Sequence, residues 1–380
     1  MQLGNVSLYD RSNIDKLEWP ETEDGQYAKR FLMPFILNGV RHYIDNVDTE
    51  MMALKIDNLV LPITVNDSQY ENSFVCSTYG HYVLAAYKFM DTVHRGLRSP
   101  LKMLVRVLDT VLRRGRVNKA VIVNNWMFAT NLYPEISSEQ MGKIKKYLQE
   151  HFPQHAILFF SVHRYGDQKL YTALKNNRYS MLASRKVFFL NAKDETVFNS
   201  RIFKSDWKVF RESGYAMMEN AAIPSVAVAR LTTLYRNIYV ERYQMGNPQL
   251  NENFMRLAID NQLLQFRALH KDGDVHAVVG YVHRNGIMNA PLLGYDTSMP
   301  KEGKLYRVAS TLLNMEAKKR GELFHLSSGA STFKCIRKGI GVIEYTAVCH
   351  RHLPLMRRLP WWFLQGITNS VGIPFMKYIQ

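Results

Sequence analysis

Two dipeptides, Asp272-Gly273 and Asn285-Gly286, constrain this chain more than any other local feature. Each places a residue that tolerates a left-handed backbone before a glycine, which is the chemistry of a tight hairpin turn. They cut residues 263–296 into three β-rich runs, so an antiparallel meander is predicted there. A helical pattern precedes it over 228–243, and a second helix, 304–320, stops at Gly321. The strand "ELFHLS", the short helix "STFKCIRKG" and the strand "GVIEYTAV" follow. The predicted order is α, β-β-β, α, β, α, β.

The first half also alternates strand with helix. Residues 51–65 form two β-like runs broken at Asp57-Asn58, and 99–114 carry a helical apolar stripe. Ser137 and Gln140 have the spacing of a capping box ahead of a helix that Pro153 ends. Strands are predicted at 156–162 and 184–190 with a helix between them. Beyond 191 the pattern weakens into a basic helix ended by Gly214.

At 380 residues the chain exceeds one ordinary domain of about 100–150 residues. The expected division is 1–200, a linker helix over 201–224, a second domain over 225–352 and a tail over 353–380. Lys and Arg outnumber Asp and Glu by 49 to 33, a net charge of +16. The expected partner is therefore anionic: nucleic acid, a membrane face, an acidic carrier protein or a phosphorylated substrate. An unspecific basic surface is the plainer alternative. Three widely spaced cysteines argue against a disulfide framework and for a reducing compartment. No signal-peptide core and no apolar run of about 18 residues is found, so a cytoplasmic location is expected.

The second-half order resembles the core of the GNAT acyltransferase superfamily. The stretch "GASTFKCIRKGIGVIEY", with Phe333, Lys334 and Gly339, is similar to the C-terminal signature of FemAB-type acyltransferases, which carry two GNAT-like domains in tandem. The resemblance implies an α/β (α+β) fold of two tandem GNAT-like domains. Each would be a mixed sheet flanked by helices, the second copy better preserved. It further implies that the strands "IMNAPLLGYD" and "ELFHLS" splay apart around an acyl donor. The segment "DTSMPKEGKLYRVAS" has Gly303 and Lys304 but lacks the glycine loop with which GNAT enzymes hold a pyrophosphate. Coenzyme A is then one donor among several, beside acyl carrier protein and aminoacyl-tRNA, and no tightly bound cofactor is expected.

Acyl transfer to an amine needs a positioned donor carbonyl, hydrogen-bond donors for the oxyanion and a proton acceptor. Asp296, His325 and Glu344 are the candidate bases, each with a structural alternative as turn cap, core histidine or edge-strand carboxylate. Lys334 is the candidate for stabilising the oxyanion. Lys304, Arg307 and Arg337 are candidates for a donor phosphate, and Ser327, Ser328 and Gly329 for N–H or hydroxyl groups; ordinary surface and turn roles remain open. Asn124, Asn125 and Trp126, with Asn131, form a polar cluster that either lines an acceptor groove or is a buried network. Cys349, His350 and His352 have no second ligand pair, so no metal site is expected. In the tail, Trp361, Trp362 and Phe363 stand beside Arg357 and Arg358, a composition for a peripheral anionic membrane contact or for packing on the core.

The leading expectation is an N-acyltransferase. Its rivals are a non-catalytic basic adaptor for RNA or membrane and a lipid-directed acyltransferase.

Overall fold

The computed structural model describes residues 6–84, 86–87, 95–242, 246–299 and 304–378. The first half runs β1 (Val6–Tyr9), α1 (Glu23–Asn38), β2 (Glu50–Ile56), β3 (Leu59–Asn66), α2 (Arg95–Arg114), β4 (Ala120–Val123), α3 (Ser138–His151), β5 (Ala156–Val162), α4 (Gln168–Asn176) and β6 (Ser180–Asn191). It is followed by α5 (Glu195–Phe198), α6 (Arg201–Glu212), β7 (Ala216–Glu219), α7 (Val228–Arg236) and α8 (Glu252–Asp260). Then come β8 (Gln265–Lys271), β9 (Asp274–Arg284), β10 (Ile287–Tyr295), α9 (Leu305–Arg320), β11 (Leu323–His325), α10 (Ser331–Cys335), β12 (Ile340–Cys349), α11 (Leu355–Ile367) and α12 (Ile373–Tyr378).

Local chemistry accounts for many of the boundaries. The Ser137 hydroxyl accepts from the Gln140 N–H while the Gln140 side chain accepts from the Ser137 N–H, completing the predicted box. Asp272, Gly273, Asn285 and Gly286 all have positive φ, as two-residue hairpin turns require. Helix α2 starts at Arg95, earlier than its apolar stripe suggests.

The strands form one mixed sheet in the order β1-β2-β3-β4-β5-β12-β6-β11-β10-β9-β8-β7. This order reads the same from either edge when each strand is exchanged for the one six places along the chain. The pairings obey the same rule: β4–β5 and β10–β11 are parallel, and every other neighbouring pair is antiparallel. The chain is therefore a tandem repeat, and each copy has given its last strand to the other. Strand β12 lies between β5 and β6, and β6 lies between β12 and β11. The α/β expectation of a mixed sheet flanked by helices, repeated in tandem, holds.

Alternation on the strands sends side chains to two faces. On β5, Ala156, Leu158 and Phe160 join the core beneath α1, α2, α7, α8 and α11, while Ile157, Phe159 and Val162 join the core beneath α3 and α4. On β9, Val278 enters the first of these cores, and Ala277 and Val279 pack under α9.

Candidate active site

Strands β10 and β11 pair only over Ile287–Asn289 and Leu323–His325. Strand β11 stops there, but β10 runs on to Tyr295 after a bulge at Ala290 and Pro291, where its register against β9 shifts. Proline suits that position because it has no N–H to offer a ladder. The two strands part, and a cavity of about 480 Å³ opens between them. Ala290, Leu293 and Tyr295 line one wall, and Phe324, Leu326 and Phe333 the other.

The equivalent opening in the first copy, past β4 and β5, is plugged. Asn124 Nδ2 donates to the Leu132 carbonyl (2.9 Å), and Trp126 Nε1 donates to Asn124 Oδ1 (2.8 Å). Asn125 Nδ2 donates to Thr64 Oγ1 and to the Val75 carbonyl, both at 2.9 Å. Asn131 accepts from the Trp126 N–H. All four side chains are buried, and a hollow of only about 10 Å³ remains beside Trp126. Asn124, Asn125 and Trp126 thus sit in a closed hydrogen-bond network, and none lines the large cavity.

The predicted residues of the second copy fall into three groups. His325, Ser327, Gly329, Lys334 and Arg337 line the cavity. Lys334 Nζ donates to the carbonyls of Leu326 (2.7 Å), Ser327 (3.2 Å) and Ser328 (2.8 Å). Burial, with the Arg185 charge adding, pulls its ammonium down to about 7. Three carbonyls work against that pull, because a neutral amine would turn a lone pair toward one of them. Lys334 therefore cinches the turn after β11, where Ser327, Gly329 and Ala330 all have positive φ. A peptide plane that turns its carbonyl to Nζ turns its N–H the other way, so the Ser328 and Gly329 N–H groups point away from the ammonium.

Glu344 forms the second group with Arg185. It is buried and paired bidentately, Arg185 Nε to Oε1 at 2.7 Å and Nη2 to Oε2 at 3.2 Å. His325 is fully buried beside them. Its Nδ1 accepts from the Ser327 N–H (3.0 Å), which leaves the ring hydrogen on Nε2, 3.8 Å from Glu344 Oε2. Burial holds its pKa well below the ordinary value, and the nearby His163, Arg185 and Lys334 lower it further. It is a neutral imidazole at neutral pH.

The third group, which shares Arg337 with the first, is engaged outside the cavity. The Asp206 carboxylate from α6, almost fully buried, takes both Arg307 and Arg337; Arg337 Nε lies 2.7 Å from Oδ2. The two guanidiniums are brought together, but by this carboxylate. Asp296 is held by Arg230 (2.5 Å) and by the N–H and hydroxyl of Ser298, outside the cavity lining. Burial would raise its carboxyl, yet the Ser298 and Arg230 contacts bring it down to about 2. Lys304 is exposed and precedes α9 in a left-handed conformation, and Gly303 lies outside the described residues.

The exchanged strand brings in residues that local sequence gave no reason to select. Ser184 and Arg185 of β6 line the cavity, and Ser184 is the extra residue of a bulge against β12. The Ser184 hydroxyl meets His81 Nε2 at 2.5 Å, and His81, also lining the cavity, is lowered to about 3 by burial and by Arg185. Among the described residues no carboxylate lines the cavity.

No family model matches the sequence, and no curated protein matches it. The likeness is to solved structures. A domain (DUF2156) named as the C-terminal part of a lysylphosphatidylglycerol synthetase from Agrobacterium fabrum is 11% identical; the match covers 69% of this chain and 91% of that one, with a TM-score of 0.48. FemX is 8% identical over 60% of this chain and 80% of its own, with a TM-score of 0.45. A tandem GNAT protein from the clavulanic acid biosynthesis pathway is 7% identical over 90% and 98%, with a TM-score of 0.37. These neighbours are GNAT-fold proteins. At such identities and scores, nothing about activity follows from them.

Proposed function

We propose that the protein is an N-acyltransferase that moves an acyl or aminoacyl group from an anionic donor to an amine inside the cavity between β10 and β11. The observation that carries this reading is the parting of two parallel strands around an open cavity lined, among the described residues, by cationic and neutral side chains only. That lining suits a donor whose carrier bears phosphate: acyl carrier protein, a coenzyme A thioester or aminoacyl-tRNA. Leu293, Leu313 and Phe324 favour an uncharged acyl or aminoacyl side chain, since no carboxylate is at hand to pair with a cation.

In this reading the amine attacks the donor carbonyl, and the new C–N bond forms as the bond from carbonyl carbon to carrier breaks. The Arg185 charge and the Ser328 and Gly329 N–H groups meet the developing oxyanion. The amine proton passes through the Ser184 hydroxyl, which its hydrogen bond to the neutral His81 ring orients, to the departing carrier. Glu344 holds Arg185 in place, and Lys334 holds the turn.

The test begins with extraction and intact-mass analysis of the freshly purified protein for a co-purified acyl carrier, tRNA or lipid. Labelled donors of the three classes are then offered with amine acceptors to the wild type and to the R185Q/E344Q variant. The double substitution removes both charges of the buried pair, so neither is left uncompensated. Transfer by the wild type, slowed about a hundredfold or more in a variant with unchanged circular dichroism, is expected. Equal transfer by both proteins, or none from any donor, would end this reading.

A further inference from the structure

Helix α11 is apolar on both of its faces, which is unusual for a helix at the surface. Pro360, Trp361, Leu364 and Thr368 point inward, and Trp361 is fully buried. Leu355, Met356, Leu359, Trp362 and Phe363 recur at spacings of one, three, three and one, so they share the opposite face, and all are exposed. Met356 is 74% and Trp362 46% exposed. Val371, in the turn that leads to α12, is exposed as well.

A second apolar stripe lies close by. Helix α11 crosses the end of α2, where Arg357 donates to the carbonyls of Gly115 and Arg116, and a Cβ on Gly115 would strike Pro360. About two to three turns upstream, α2 exposes Met103, Leu104 and Val107.

The charge carried by these two segments is almost all of one sign. Residues 345–380 contain no Asp or Glu, but they do contain Arg351, Arg357, Arg358 and Lys377. On α2 the single acid, Asp109, is taken by Arg113 and Tyr79. Arg106, Arg114, Arg116 and Arg351 are exposed and have no ion-pair partner among the described residues. Exposed Trp and Phe beside unpaired Arg is the composition of a helix that lies in a lipid interface, its rings at headgroup depth and its cations on anionic headgroups. A second copy of this chain would bring the same basic rim against itself. Among the described residues no helix is long and apolar enough to cross a membrane.

We infer that the outer face of α11, extended through Val371 and flanked by the exposed stripe of α2, docks on the surface of an anionic phospholipid bilayer. This surface is separate from the cavity but tied to it. Asn369 accepts from the Ala183 N–H and donates to the Met181 carbonyl, both at 2.9 Å, and Ser184 and Arg185 are the next residues of β6.

The experiment is co-sedimentation of the full chain with vesicles of phosphatidylcholine alone or mixed with phosphatidylglycerol, which needs no transfer activity. The wild type should pellet with the mixed vesicles and bind those of phosphatidylcholine alone about tenfold less. The M356E/W362E variant should lose about tenfold or more of that binding, with its melting temperature and circular dichroism unchanged. Should it fail to fold, R114E/R351E, altered only at the exposed rim, should lose the preference for phosphatidylglycerol. Wild type that stays in the supernatant with mixed vesicles would overturn the inference, as would variants that bind like wild type. A dimer of the wild type that dissociates in M356E/W362E, with no vesicle binding, would overturn it in favour of a second copy.

Discussion

Single side chains in and near the cavity are tuned chiefly by burial. Burial holds His81 at about 3 and His163 at about 4, and His325 lies well below the ordinary value near 6.5. Folded-state values below the unfolded one mean that, between about 6.5 and 4, the unfolded chain binds more protons than the folded one. Stability should be fully present above about 6.5 and fall as the pH drops, each histidine contributing up to about 1.4 kcal/mol per pH unit. Urea denaturation from pH 7 to pH 5 reads this directly, and a constant midpoint would contradict it. At this scale the sequence marked His325, Ser327, Gly329, Lys334 and Arg337 as neighbours because they lie within thirteen residues of one another. It gave no sign that Asp206 would claim Arg307 and Arg337, since that carboxylate arrives from about a hundred residues away.

Between elements, the cavity depends on how closely α7 lies on β10. A Cβ on Gly294 would fall 2.5 Å from the Leu234 carbonyl carbon and 2.6 Å from the Tyr235 nitrogen, both backbone atoms that cannot swing aside. Gly294→Ala should therefore push α7 off the strand and cost about 1–3 kcal/mol. Gly366→Ala, with nothing within 4 Å of the new methyl, should leave stability unchanged or slightly raised. Denaturant unfolding of the two variants separates these outcomes; equal stability would mean that the contact is looser than it looks. Elements defined by capping and turn chemistry, such as α3 and the β8–β9–β10 meander, were legible in the sequence. Strand β7 was not. Its four residues are mostly exposed and show no alternation, and only pairing with β8 makes them a strand.

Over the whole molecule, the exchange of β6 and β12 is the dominant fact. Without β12, strands β5 and β6 of the first half have nothing between them, and without β6, strands β11 and β12 of the second half are parted in the same way. Fragments 1–200 and 201–380 should each fail to fold alone and should recover a folded species when co-expressed. A cooperative thermal transition in either fragment alone would contradict this. The sequence by itself determined the strand and helix order from β8 to β12, the hairpins, the basic charge and the small-residue turn after β11, because each is encoded within a few to a dozen residues. The tertiary structure alone decided which strand fills the centre of the sheet, and with it that Arg185 and Ser184 of the first half complete a cavity built by the second. The physical reason is that a strand edge offers the same backbone hydrogen bonds to any partner. The choice among partners some 160 residues apart rests on the packing of both faces at once, which no local pattern records.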